Sequence, residues 1–209
     1  MDITYIITVL VVILFSMTIH EAMHGFVAYW LGDDTAKLEG RLTLNPIKHI
    51  DPFLTIILPV LLAISGAPIF GGAKPVPFNP ARVKYDEWGS ALVALAGPLS
   101  NLLIAFVSYG LYVAFAASST ELATFFTVSF IVNLGFFAFN MIPIPPLDGS
   151  RVLYALAPEF VRRGMEAIER FGIIFVFAIV LLASPLLGSF IISTRNIFID
   201  IFAHIFGIA

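Results

Sequence analysis

The sequence predicts an all-α polytopic membrane protein with five to six transmembrane helices. Three observations carry that prediction. Hydrophobic residues make up 59% of the 209 and charged residues only 12%, against about 25% charged in soluble domains. Long apolar runs recur along the chain, several of them near the roughly 20 residues a helix needs to cross hydrocarbon. Lysines and arginines gather in only a few of the segments between those runs. The net charge of −3 and the lack of any basic tract exclude nucleic acid as a partner. With no cysteine in the chain, disulfides and thiolate-based metal sites are excluded too. No internal repeat or low-complexity tail is visible.

The first apolar stretch runs from Ile3 to Leu31 and stops at Gly32-Asp33-Asp34. It lacks the basic start of a signal peptide, so it reads as a retained span. In the polar segment that follows, Arg41-Leu42-Thr43-Leu44 alternates like a short strand. Residues 52–66 are apolar but short and interrupted by Pro59, which predicts a re-entrant segment rather than a crossing. "FGGAKPVPFNP" at 70–80 is too rich in Gly and Pro for a helix and reads as extended. Spans are expected over Trp88–Ala117, over Leu122–Ile142 and over 171–187, with a polar, arginine-bearing stretch at 150–170. From Gly188 onward Ser189, Ser193, Asn196, Asp200 and His204 recur every three or four positions. That pattern predicts an amphipathic helix lying in the interface or packing its polar stripe on the bundle. A sixth span there is the lesser reading. The whole of 1–209 reads as one membrane-embedded domain, with a core at about 5–150 and C-terminal helices at 168–209.

The basic residues constrain the topology. Lys37, Arg41, Lys48, Lys74, Arg82, Lys84, Arg151, Arg162, Arg163 and Arg170 fall in three loops, and Arg195 alone lies elsewhere. The positive-inside rule puts those loops in the cytoplasm, with the N-terminus and the Ser118–Thr120 turn outside. The assignment requires that 52–66 dip in and return.

Chemistry concentrates in "TIHEAMHGFVAYW" at 18–30, where two histidines and a glutamate interrupt an apolar run. Ionisable groups in hydrocarbon are costly, at least about 2.5–3.5 kcal/mol when unpaired, and they usually mark function. His20 and His24 are four apart, so both rings leave one face of a helix a turn apart. Two ring nitrogens can then reach one metal ion. Glu21, next to the first histidine, can act as general base on a metal-bound water. A catalytic zinc takes three protein ligands and leaves a fourth position to water. Without cysteine the third ligand must be His, Asp or Glu. His49 in a loop and His204 on the amphipathic stripe read more simply as solvated or interfacial. Asp148 follows an apolar helix in "NMIPIPPLDG", on irregular backbone that membrane depth tolerates only against protein or water. It reads equally as a helix-terminating turn residue, so spacing leaves the third ligand open.

HEAMH at 20–24, "GPLSN" at 97–101 and "NMIPIPPLDG" at 140–149 together resemble the site-2 protease family of intramembrane zinc metalloproteases. The segment "FGGAKPVPFNP" resembles that family's loop between the first two core helices. The likeness covers roughly residues 5–150, in the family's order, and is to a compact form without a PDZ or CBS domain. It implies one Zn2+ per chain held by His20, His24 and Asp148, with Glu21 as catalytic acid/base. Asn140, and with it Asn101, would match asparagines that hold the substrate backbone or polarise the scissile carbonyl. The implied activity is hydrolysis of peptide bonds in or near the transmembrane segments of single-span membrane proteins. The implied location is the cell membrane, multi-pass, with the site toward the cytoplasmic face.

Helix direction gives a separate test. HEAMH lies near the end of the first span and Asp148 just past the end of the 122–142 span, so those helices must run the same way. Trp88–Ala117 supplies the single crossing this needs, and again 52–66 must not cross. Two readings of another class stay open: a zinc or proton-coupled transporter whose intramembrane His, Glu and Asp bind a passing ion, and an inactive relative that only binds a partner.

Overall fold

The computed structural model describes residues 3–58, 61, 64 and 71–208. Helix α1 is Ile3–Trp30, followed by the single turn α2 at Thr35–Leu38. Short turns follow at Pro46–His49 and Pro52–Ile57, and another at Pro80–Arg82. Then come α3 at Asp86–Phe115, α4 at Thr120–Asn140, α5 at Asp148–Leu156, α6 at Glu159–Glu169, α7 at Gly172–Leu182 and α8 at Ser184–Ile205.

The burial pattern of α1 is inverted relative to a soluble helix. Its buried face carries Ser16, Thr18, His20, Ala22, His24, Gly25 and Ala28, while Ile3, Ile6, Ile7, Leu10 and Phe15 are exposed. Large apolar residues facing outward from a polar interior require an apolar solvent. Four helices, α1, α3, α4 and α8, are long and apolar enough among the described residues to cross a membrane.

The helices α1, α3 and α4 pack on one another and alternate in direction. At one end the Lys84 N–H donates to the Leu31 carbonyl (2.9 Å) and Arg82 pairs with Asp34. Midway, Asn133 of α4 reaches Ser16 of α1, and Ser108 of α3 meets Ser129 of α4. At the far end Ser119 caps α4 by accepting from the Leu122 N–H. Thus α1 and α4 run the same way, with α3 between them. A second layer is apolar: Ala105 and Tyr109 of α3, Phe130 and Leu134 of α4, and Phe202 of α8 form one core cluster.

The segment 71–79 is held by successive hydrogen bonds. Gly72 donates to the Leu54 carbonyl and Lys74 to the His49 carbonyl, and the Arg41 guanidinium donates to the Lys74 carbonyl. Asn79 donates its N–H to Asp33, which also accepts from the Thr35 N–H and hydroxyl. Burial pushes the Asp33 carboxyl upward, but these donors outweigh it and hold it below the ordinary carboxylate range.

Some expectations change. The expected extended course at 71–79 stands, but no strand forms among the described residues. Arg41–Leu44 has no partner ladder, and a lone strand leaves its backbone groups unpaired. Most of the expected re-entrant segment beyond Leu58 lies outside the described residues. Among the described residues around it, the Thr55 hydroxyl donates to the Gly72 carbonyl (2.7 Å).

The expected span at 171–187 divides. The helix α7 has 11 residues, about 16 Å at 1.5 Å per residue and too short to cross. Pro185 falls in the first turn of α8, where its missing N–H costs nothing. The longer, 22-residue α8 is therefore the fourth span-length helix, where the polar stripe argued for an interfacial one. That stripe does not pack on the bundle either. Ser189, Ser193, Asn196, Asp200 and His204 are exposed, and Phe198, Phe202 and Phe206 make the contact.

Cysteines introduced singly at Lys48, Lys84 and Ser118 should label with an impermeant thiol reagent on two sides of the membrane. Lys48 and Lys84 should react together from one side and Ser118 from the other. Reaction of Lys84 and Ser118 from the same side would break the α1–α3–α4 alternation.

Candidate metal centre

His20 and His24 leave the buried face of α1, and Asp148 is the first residue of α5. The Met141–Leu147 turn brings α5 back beneath α1. Gly149 makes that return possible, since a Cβ there would lie 2.4 Å from the Met141 carbonyl oxygen. Backbone can approach backbone this closely only where no side chain intervenes.

Three ligand atoms converge. His20 Nε2 lies 3.1 Å from His24 Nε2 and 3.2 Å from Asp148 Oδ2, and His24 Nε2 lies 3.5 Å from the same oxygen. Two donors bound at about 2.0–2.1 Å with tetrahedral angles stand about 3.3–3.4 Å apart. These spacings fit a tetrahedral ion with an open fourth position.

The protons support the same conclusion. His20 Nδ1 donates to Asn101 Oδ1 (2.6 Å) and His24 Nδ1 donates to the Val93 carbonyl (2.8 Å). With the protons on Nδ1, both Nε2 atoms carry lone pairs and aim at each other. Asp148 Oδ2 is buried without a hydrogen-bond partner. Three acceptors facing one another with no donor between them are repulsive, and a cation resolves that repulsion. Among the described residues, His20, His24 and Asp148 form the group able to hold a metal ion.

One face of α3 serves this centre. Val93, Gly97 and Asn101 succeed one another at four-residue intervals and so share that face. Val93 supplies the carbonyl for His24 and Asn101 the amide oxygen for His20. Gly97 supplies space, since a Cβ there would meet the His24 ring at 2.5 Å and the His20 ring at 2.7 Å. The "GPLSN" motif was visible in the sequence, but Val93 left no signal because only its main chain takes part.

Glu21 and Asn140 sit beside the centre. A cavity of about 240 Å³ is lined by His20, Glu21, Gly72, Phe139, Asn140 and Leu147, among others. Glu21 Oε2 accepts from the Val76 N–H (2.9 Å), a contact that sequence reasoning missed. Asn140 donates to the Phe136 carbonyl one turn back. Asn101 has no exposed surface: its Nδ2 donates to Asn133, so the structure places it behind His20 and not on the cavity. His49 is buried and donates to the Thr43 carbonyl, and His204 is exposed on α8. Neither joins His20 and His24.

Comparison with known proteins gives the family. The model of peptidase family M50 matches residues 8–125 and 113–183. The chain is 42% identical over 215 aligned positions to a Bacillus subtilis (strain 168) protein named "Putative zinc metalloprotease YwhC", covering 97% of this chain and 92% of that one. It is 37% identical to Rip2 of Mycolicibacterium smegmatis, named in the same terms, over 84% of this chain and 66% of the relative. Rip2 of Mycobacterium tuberculosis is 32% identical over the same shares. No solved structure matches. The chain is a membrane-embedded member of peptidase family M50, the site-2 protease family that its motifs resemble.

Replacing Gly97 with alanine should displace both imidazoles and lower bound metal well below one ion per chain. Overpacking of this kind also costs about 1–3 kcal/mol of stability. Metal content of purified protein and its melting temperature together report the two effects. A Gly97→Ala protein with full metal content would show that the rings do not occupy the described positions.

Proposed function

We propose that the chain is an intramembrane zinc metalloendopeptidase acting on single-span membrane-protein substrates, in or near their transmembrane segments. The observation that carries this reading is the meeting of three ligand atoms beside a carboxylate, Glu21, that lines a cavity. His20, His24 and Asp148 would hold one Zn2+. When bound, zinc polarises water and a peptide carbonyl and lowers the pKa of the water toward about 7.

The remaining work falls to the chain. Glu21 is fixed by the Val76 N–H at Oε2, leaving its other oxygen as the one available to take a proton from the attacking water. The protonated carboxyl then gives that proton to the leaving amine. Asn140 lines the cavity, where it would hold the substrate main chain or its carbonyl. Asn101, enclosed and engaged with His20 and Asn133, serves the centre rather than the substrate.

A helical substrate hides its carbonyls in its own hydrogen bonds, so a segment must unwind before attack. Gly71, Gly72 and Ala73 line the same cavity with extended backbone, an edge along which an unwound segment can lie. Ten of the eleven Lys and Arg residues lie in segments at the metal-centre end of the bundle or in the 150–170 stretch. The positive-inside rule therefore places the centre toward the cytoplasmic face of the cell membrane.

The decisive assay is cleavage of a panel of single-span substrates in detergent. Glu21→Gln should keep its metal and lose cleavage by at least about 100-fold, the lower range for a general acid–base group. His20→Ala, His24→Ala and Asp148→Ala should lose metal as well as activity. Cleavage by Glu21→Gln at the wild-type rate would remove the protease reading. Full metal in Asp148→Ala would move the third ligand elsewhere.

A further inference from the structure

A chain of buried amides runs from the metal centre into α4. Asn101 of α3 and Asn133 of α4 have no exposed surface. Asn133 Nδ2 donates to the Ser129 main-chain carbonyl (2.9 Å) and to Ser16 Oγ (2.8 Å). Asn101 Nδ2 donates to Asn133 Oδ1 (2.8 Å), and Asn101 Oδ1 faces His20 Nδ1 at 2.6 Å.

The direction of these bonds is not free. An amide side chain offers a donor at one end and an acceptor at the other, and either could face a given neighbour. A main-chain carbonyl can only accept. Ser129 therefore turns the NH2 of Asn133 toward itself, which turns Oδ1 of Asn133 toward Asn101. Asn101 must answer with its own NH2, and its Oδ1 is left for His20. An acceptor at that position requires the proton on His20 Nδ1, so Nε2 carries the lone pair that points at His24 and Asp148.

The geometry points to Asn133 as a positioning residue that acts through Asn101 to select the metal-binding tautomer of His20. This rests on the reading of His20 as a metal ligand. Without Asn133, the NH2 of Asn101 keeps only its long contact with the Ser16 main-chain carbonyl (3.5 Å), too weak to stop the amide turning by half a turn and presenting its NH2 to His20. The proton then moves to Nε2, and that nitrogen no longer has a lone pair for a metal. Hydrogen-bonding partners behind a metal-bound histidine typically change metal affinity by about 10–100-fold, and Asn133 stands one step further back.

The test uses full-length protein in detergent, with zinc affinity measured by chelator competition. The 15N shifts of the His20 ring, in metal-free protein, report the tautomer directly. Asn133→Leu should weaken zinc binding about tenfold or more and turn a single Nδ1–H form into a mixture. The discriminating variant is Asn101→Asp, whose carboxylate is an acceptor on either side and cannot present a donor. In the Asn101→Asp background, adding Asn133→Leu should change zinc affinity by less than about threefold, where independent losses would multiply. Ser108→Ala removes an α3–α4 hydrogen bond outside this chain and should leave zinc affinity unchanged. If Asn133→Leu does not fold, Asn133→Ala removes the amide without added bulk and must show the same pattern. Retention of the pure Nδ1–H form in the position-133 variant would overturn the inference, as would an undiminished loss in the Asn101→Asp background. Failure of wild-type protein to bind zinc would instead remove the metal-centre reading, and the tautomer measurement would still decide the role of Asn133.

Discussion

The meeting of His20 Nε2, His24 Nε2 and Asp148 Oδ2 is the contact on which the other features of the bundle depend. Three acceptors within 3.5 Å of one another repel. A cation satisfies all three at once. To bring them together, α1 and α4 must run in the same direction, and α3 must be the one helix crossing back. On the same side, Thr55 and Gly72 meet through a hydrogen bond. The close approach of Gly149 to Met141 follows from the same requirement, because Asp148 has to reach back to α1 across a tight turn.

The same requirement explains why the bundle is polar inside. In lipid, apolar packing between helices gains little over contact with the acyl chains, and small and hydrogen-bonding residues hold helices together. Ser16, Asn101, Ser108, Ser129 and Asn133 link α1, α3 and α4 at mid-depth. Their bonds hold the helices in register, and through Asn101 that register reaches a histidine of the centre. Fold stability and ligand geometry thus share Asn101 and Asn133. Away from the centre, Tyr109, Phe130 and Phe202 fill the space between α3, α4 and α8 with aromatic contacts.

The sequence made the central helices legible because their solvent requirement is written in composition. HEAMH stood out because ionisable groups inside an apolar run are costly, and a four-residue spacing has only one helical meaning. Asp148 was visible as a candidate but not as a ligand until the resemblance supplied its role. What stayed hidden depends on backbone atoms: the Val93 carbonyl, the Val76 N–H and the Ser129 carbonyl have no side-chain signature. Asn133 did leave a signal, an amide in an otherwise apolar span, whose partner only packing could reveal. Apolarity alone does not mark the break inside the expected 171–187 span, where α7 ends at Leu182 and Pro185 falls in the first turn of α8. Alternation at Arg41–Leu44 suggested a strand, but periodicity within one segment says nothing of whether a partner lies beside it.

X-ray absorption at the zinc edge of purified, zinc-loaded protein tests the coordination directly. The account predicts four light-atom ligands at about 2.0–2.1 Å, with the outer-shell scattering of two imidazole rings. Asp148→Ala, loaded at raised zinc to offset its weakened binding, should lose an oxygen of the protein from that shell and keep both imidazoles. A shell with fewer than two imidazoles, or one unchanged in Asp148→Ala, would contradict the three-ligand centre.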